Sequence, residues 1–220
     1  MSEGAYLDAD IVLKLCAYHA HEELLRASTI EDQVPAILAV SAFSLTSRVK
    51  RSRTILNRTT VEEILRDALK AMRRLEPDGD EVVIAAELEQ RAIDEGLELD
   101  IGESQLFAIL LRRSARLLIT GDKRAVRALS ILARGQADHR IACLEQLVAS
   151  VVLSSDVGQL RARVCAESAV DRAVTASFAC SSQSVTAEQV MQGLCSYTSD
   201  LRKDTGRTLI PSDDLSAVVP

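Results

Sequence analysis

The run "LLIT", Leu117 to Thr120, stops at Gly121-Asp122, and the helical pattern "KRAVRALSILA" begins at the very next residue. A buried strand that hands over directly to a helix constrains the fold more than any other feature of this chain. Strand–helix units of this kind assemble as a parallel sheet with helices packed on it. Two other places repeat the pattern. "AYLDAD" gives a short strand, Ala5 to Leu7, ending at Asp8 with a helix behind it, and "HRIACLEQL" gives a strand from Arg140 to Cys143 leading to a helix at Glu145. The expected fold class is therefore α/β, a small parallel sheet flanked by many helices, with the Ala5–Leu7 strand beside the Leu117–Thr120 strand.

Most of the remaining chain reads as helix. A helical pattern follows Asp8 through Leu15, and another lies near Glu22 to Ala27. A long apolar face runs from Val34 to Val49 and ends in a basic cluster. "TTVEEILRDALKAMRRL" reads as a helix opened by a Thr60/Glu63 capping box and broken at Pro77 to Asp80. Further helices are expected from "EVVIAAELEQRAIDEG", closed by Gly96, and from the segment after Asp100. Beyond Leu153 helices are expected at roughly Leu160 to Val174 and Thr186 to Arg202, before an irregular tail. This divides the chain into residues 1–153, the sheet-bearing domain, and 154–220, a helical extension packed on the core or at a subunit interface.

Hydrophobic residues make up 47% of the 220, yet aromatics are only 3% and Trp is absent. The core is thus built from Leu, Ala, Val and Ile. A net charge of −6 argues against a surface that binds polyanions everywhere. No apolar run is long enough to span a membrane, and "MSEGAYLDAD" lacks a signal-peptide core. The five cysteines are widely spaced with no C-x-x-C pair, which reads as reduced, mostly buried thiols in a cytoplasmic protein. His19, His21 and His139 show no ligand spacing, the first two falling on an exposed helix, and Ser41, Ser44 and Ser47 read as small residues on a packed helix. No Walker or dinucleotide fingerprint is present.

In open parallel sheets, ligands sit beyond the carboxyl ends of the strands. Asp8, Asp122 and Glu145 fall there. Taken singly, Asp8, Asp100 and Asp122 are explained as helix N-caps, and Asp100 with Glu103 has capping-box spacing. Taken together they gather negative charge at one sheet edge. Carboxylates about 4 Å apart repel by roughly 4 kcal/mol at an effective dielectric near 20, which calls for a cation. An all-oxygen donor set suits Mg²⁺ or Mn²⁺, ions that activate water and hold a phosphodiester. Lys123 and Arg124 open a helix whose N-terminus is already positive, and Lys14 lies near the first acid. The three are expected to bind substrate phosphate, with Gly121 letting the chain turn sharply; the alternative reading of each cation, and the plainer one for a lone lysine, is solvated surface.

"YLDADIVLKL", "LDIGESQLFAILL" and "LLITGDKRAVRAL" together resemble, in order and spacing, the acidic motifs of PIN-like domains, a fold of metal-dependent ribonucleases that includes bacterial toxin nucleases. The resemblance covers Ala5 to Val148. It implies that Asp8, Glu103 and Asp122 are the catalytic metal ligands, that Mg²⁺ or Mn²⁺ is the cofactor, and that RNA is the substrate, cut by an endoribonuclease. The sequence departs from the pattern in having no acid between Ala36 and Val49, a place taken by Asp10, by Glu145, or by no residue. The helices after Leu153 have no counterpart in a minimal domain of this kind and would pack on the core, form a homodimer or bind a partner such as an inhibitory protein. Two other readings stay open. One is a catalytically inactive PIN-like scaffold that binds RNA or a partner. The other is a phosphatase of the haloacid-dehalogenase type, suggested by the Asp8-x-Asp10 pair and the late Gly-Asp, but lacking that superfamily's further acid between Lys123 and Ser130.

Overall fold

A computed structural model describes residues 3–218. Along the chain the elements are β1 (Ala5–Leu7), α1 (Ala9–Ala17), α2 (His21–Ser28), β2 (Ala36–Leu38), α3 (Ala39–Arg51), α4 (Arg58–Lys70), β3 (Arg73–Leu75), α5 (Gly79–Asp94), α6 (Ile101–Arg112), β4 (Leu117–Thr120), α7 (Lys123–Leu132), β5 (Ile141–Cys143), α8 (Leu144–Leu153), α9 (Val157–Ala166), α10 (Arg172–Ser177) and α11 (Ala187–Thr205). The five strands form one sheet in the order β3-β2-β1-β4-β5, every pair parallel. As the sequence predicts, β1 lies beside β4, with Tyr6 opposite Leu118.

The strands are short and buried on both sides, so successive residues feed two separate cores. Leu7, Ile37, Ile119 and Ala142 point into one, with α1 to α4, α8, α9 and α10. Tyr6, Leu38, Leu118 and Ile141 point into the other, with α5, α6 and α7. The connectivity explains this split. From β1 the chain steps through β2 to β3, but from β4 it steps the opposite way to β5. Right-handed crossovers running in opposite directions must place their helices on opposite faces. The direction reverses between β1 and β4, the place where open α/β sheets leave a crevice.

Two strands escape the sequence reading. β2 runs straight into α3 without a breaker, and β3 carries Arg73 and Arg74 on the outer edge, where its "RRL" merges with the preceding helical pattern. Three-residue strands are too short for a period of two to stand out. The α4 cap is also relocated. Asn57, not Thr60, is the N-cap, its side chain accepting from the Thr60 amide, and the helix opens at Arg58. The helix expected over Leu160 to Val174 breaks into α9 and α10, the second capped by Asp171. His19 sits in a turn at φ 52° and His21 opens α2, both half-buried, not on an exposed helix. Cys165 and Cys180 form a disulfide, which corrects the expectation of reduced thiols throughout, while Cys16 and Cys143 are buried and free.

The residues after Leu153 pack on both cores. Val190 and Leu194 of α11 enter the first core and Leu201 enters the second, so α11 wraps the β5 side of the sheet. The segment beyond it is irregular but not loose. Leu209 bridges Ile141 in parallel, the Ile141 amide donates to Thr208 O (3.3 Å), and the Ile210 amide donates to Ile141 O (2.9 Å). The outer edge of β5 is thereby covered, which removes an unpaired edge. Among the described residues no helix is long and apolar enough to cross a membrane.

Candidate functional site

Three helix N-termini converge on the crevice between β1 and β4. Asp8 leaves β1 with its amide still bonded to Ile119 O (3.0 Å), and its carboxylate caps α1 by accepting from the Asp10 amide (3.3 Å). Asp122 leaves β4 and caps α7, accepting from the Arg124 amide (2.8 Å). Asp100 caps α6 in a reciprocal box, accepting from the Glu103 amide (2.9 Å) while Glu103 Oε2 accepts from the Asp100 amide (3.4 Å). Thr120 joins two of these ends: its hydroxyl donates to Glu103 Oε1 (3.1 Å) and accepts from the Asp122 amide (3.1 Å). Capping and site-building are therefore the same arrangement here. The caps aim carboxylates at one cavity of about 420 Å³, lined by Asp8, Asp10, Lys14, Arg48, Asp100, Glu103, Gly121, Asp122 and Arg124.

Gly121 matters for space, not for a left-handed turn, since Gly96, Gly135 and Gly206 are the glycines at positive φ among the described residues. A Cβ at Gly121 would lie 3.2 Å from Asp10 Oδ2 and 3.4 Å from Lys14 Nζ. Glycine lets the α1 side chains close over the end of β4.

The acids pay for their proximity in protonation. Burial, then the charges of Asp100, Asp8 and Asp122, push the Glu103 carboxyl up to about 8. Burial, then the charge of Asp10, pushes Asp8 up to about 6. Burial works in the same direction on Asp122, but the hydrogen bonds and charge of Arg124 outweigh it and hold that carboxyl below the usual range. Burial works against the Lys14 ammonium, but Asp10 and Asp171 outweigh it and hold its pKa above the ordinary lysine value.

The expected site residues divide into two groups. Asp8, Asp10, Lys14, Glu103, Asp122 and Arg124 line the cavity. Lys123 and Glu145 do not. They pair with each other, Nζ to Oε1 at 2.5 Å, and the Lys123 ammonium lies 4.8 Å above the Tyr197 ring of α11. The cation expected to meet substrate phosphate is instead the counter-ion of a carboxylate only 2% exposed. Lys123→Met is therefore expected to strip Glu145 of its partner and to destabilise the fold by roughly 3 kcal/mol in chemical denaturation. An unchanged midpoint would show that the pair contributes nothing.

Arg124 is likewise engaged, bound to Asp122 Oδ2 (2.8 Å) and Glu98 (2.6 Å). Sequence reasoning passes over Arg48, which approaches Asp10 at 3.5 Å, and treats Asp100 only as a cap. The basic end of the Val34–Val49 segment was the available signal for Arg48. Nothing in the sequence signals Asp171, which reaches Lys14 from far along the chain at 2.8 Å.

The donors near the crevice are carboxylate oxygens, the set that suits Mg²⁺ or Mn²⁺ and not a soft metal. As they stand they are not a closed coordination shell: among the described residues no three His, Cys, Asp or Glu side chains are gathered tightly enough to hold an ion. The chain matches no protein-family model and no curated protein sequence.

Proposed function

We propose that this crevice is a divalent-metal site and that the protein is a PIN-like, metal-dependent nuclease acting on RNA. One observation carries the reading. Four carboxylates, Asp8, Asp100, Glu103 and Asp122, are delivered to one polar cavity at the reversal point of the sheet, and Asp8 and Glu103 are pushed above their ordinary pKa values by burial and by neighbouring carboxylates, Asp10 among them. A divalent cation offsets that repulsion, and an open α/β sheet binds its ligands at this place.

In this reading Asp8, Glu103 and Asp122 hold the ion, with Asp10 and Asp100 beside them and Glu145 outside the set. Such an ion supplies water activation and polarisation of a phosphodiester. Thr120 orients Glu103 through its hydroxyl, as partners behind metal ligands do. Asp122 must leave Arg124, which keeps Glu98 as its second partner. Lys14 and Arg48 line the same cavity and are the cations a substrate phosphate would meet there.

A second reading, a non-catalytic PIN-like scaffold, is favoured by one observation: Arg124 occupies both oxygens of Asp122. Titration of Mn²⁺ against wild type and Asp8→Asn separates the two. The nuclease reading expects saturable binding that weakens at least about tenfold in the variant, together with Mn²⁺-dependent cleavage of single-stranded RNA. Equal binding by both proteins would remove the metal from this site. Binding without cleavage would leave the scaffold.

A further inference from the structure

One support of the pocket comes from the C-terminal helical region. Lys14, which lines the cavity, is held from two sides. Its ammonium lies 2.7 Å from Asp10 Oδ2, on its own helix, and 2.8 Å from Asp171 Oδ2. Asp171 does not line the cavity. Its other oxygen accepts the amides of Ala173 (2.9 Å) and Val174 (3.0 Å) at the start of α10, so the carboxylate is fixed with one oxygen facing Lys14. The segment carrying it is itself anchored. The Cys165–Cys180 disulfide closes it, and Glu167 within it accepts the amides of Leu56 (2.8 Å) and Asn57 (3.0 Å). Both members of the Lys14–Asp171 pair are largely buried, with side chains 14% and 16% exposed.

We propose that Asp171 is a positioning residue of the pocket, acting through Lys14, and that a phosphate group entering the pocket competes with it for the Lys14 ammonium. This rests on the reading of the cavity as a phosphodiester site. An ammonium has three protons to donate, and two are committed here. A phosphate reaching Lys14 therefore meets a cation already compensated by two carboxylates.

Two effects oppose each other when the Asp171 charge is removed. Lys14 loses one restraint, which weakens pre-organised binding. The Lys14 ammonium also regains a proton for which the incoming phosphate no longer competes with a carboxylate. Asp10 still holds the ammonium and the lysine stem remains packed, so the first effect is small. Freeing that proton for a charge-assisted hydrogen bond to a bound phosphate changes affinity on the order of tenfold. The second effect wins, and the variant binds more tightly.

Asp171→Asn keeps the helix cap, since Asn and Asp are equivalent at that position, and Asp171→Ser does the same with a different side chain. The full-length protein is titrated in Mg²⁺ with two probes, a 2′-O-methyl single-stranded oligoribonucleotide that resists cleavage and inorganic phosphate. Both variants should bind about tenfold more tightly than wild type, with KM for a cleavable RNA lowered and kcat little changed. Structural damage would lower both affinity and kcat. In a Lys14→Gln background the Asp171→Asn change should have no effect, because the pair acts as a unit. Variants that bind neither probe more tightly than wild type overturn the proposal, as does an equal gain in the Lys14→Gln background. Tighter phosphate binding with no RNA binding by any of the proteins would keep the role of Asp171 and dismiss RNA as the substrate.

Discussion

Glu103→Gln is expected to give a more stable protein and, on the proposed nuclease reading, one without RNA cleavage. Glu103 is 3% exposed, beside Asp8, Asp100 and Asp122, and burial with those charges pushes its carboxyl up to about 8. Gln preserves its structural work. Its carbonyl can accept from the Asp100 amide at the third helical position of the capping box, as Glu does, while its NH₂ donates to the Thr120 hydroxyl. What the substitution removes is charge. The pH dependence follows from the direction of the shifts. Between the ordinary carboxylate range and about 8, folded Glu103 keeps a proton that the unfolded chain releases, and Asp8 does so up to about 6. The folded state then binds more protons than the unfolded one, so metal-free stability falls as pH rises through that window. In Glu103→Gln the fall should be shallower, with a melting temperature at pH 8 higher by about 4 °C or more in EDTA. Cleavage in Mn²⁺ should drop at least about 100-fold, since even the partners behind metal ligands cost 10- to 100-fold. A variant that is less stable and still cleaves would assign Glu103 to the capping box alone.

Removing everything after Leu153 is expected to abolish cooperative folding. Val174, Phe178, Val190, Leu194, Leu201 and Leu209 are each no more than 2% exposed, and all belong to the two cores. At about 1.5–3 kcal/mol for each fully buried side chain, these six alone contribute on the order of 9 kcal/mol or more. That matches the entire stability of a typical domain. The truncation also uncovers the apolar face of α8 and the outer edge of β5. The expected product is insoluble or molten, with no sharp thermal transition and strong dye binding. A soluble truncation with one cooperative transition would show that residues 1–153 suffice.

What was legible in the sequence was whatever carried its own punctuation. β1 and β4 end at Asp8 and at Gly121-Asp122, and β5 leads into Glu145, so polar residues mark where each strand stops. Asp8, Gly121 and Asp122 also line the pocket, so two of its acids are legible from strand ends alone, whereas Glu145 marks a strand end and lies outside it. β2 has no such mark, because Leu38 passes directly into α3. The cations were harder. A lysine at a helix start advertises its charge but not its partner, and for Lys123 that partner arrives from the next strand unit as Glu145. Asp171 meets Lys14 across a separation of 157 residues, and the Cys165–Cys180 link, separated by 15, follows no C-x-x-C spacing, so no local pattern records either.

The pairing of Leu209 with Ile141 also bears on how the chain is made. During vectorial synthesis β5 leaves the ribosome long before residues 207–210 do. At about 5–20 residues per second the open edge persists for seconds, flanked by helices whose apolar faces still wait for α11. A strand edge exposed for that time can recruit the same edge of a neighbouring nascent chain. Codon choice or chaperone supply over the stretch between β5 and Leu209 should therefore govern the yield of folded protein more than the same changes placed upstream of β1's partner strand β4.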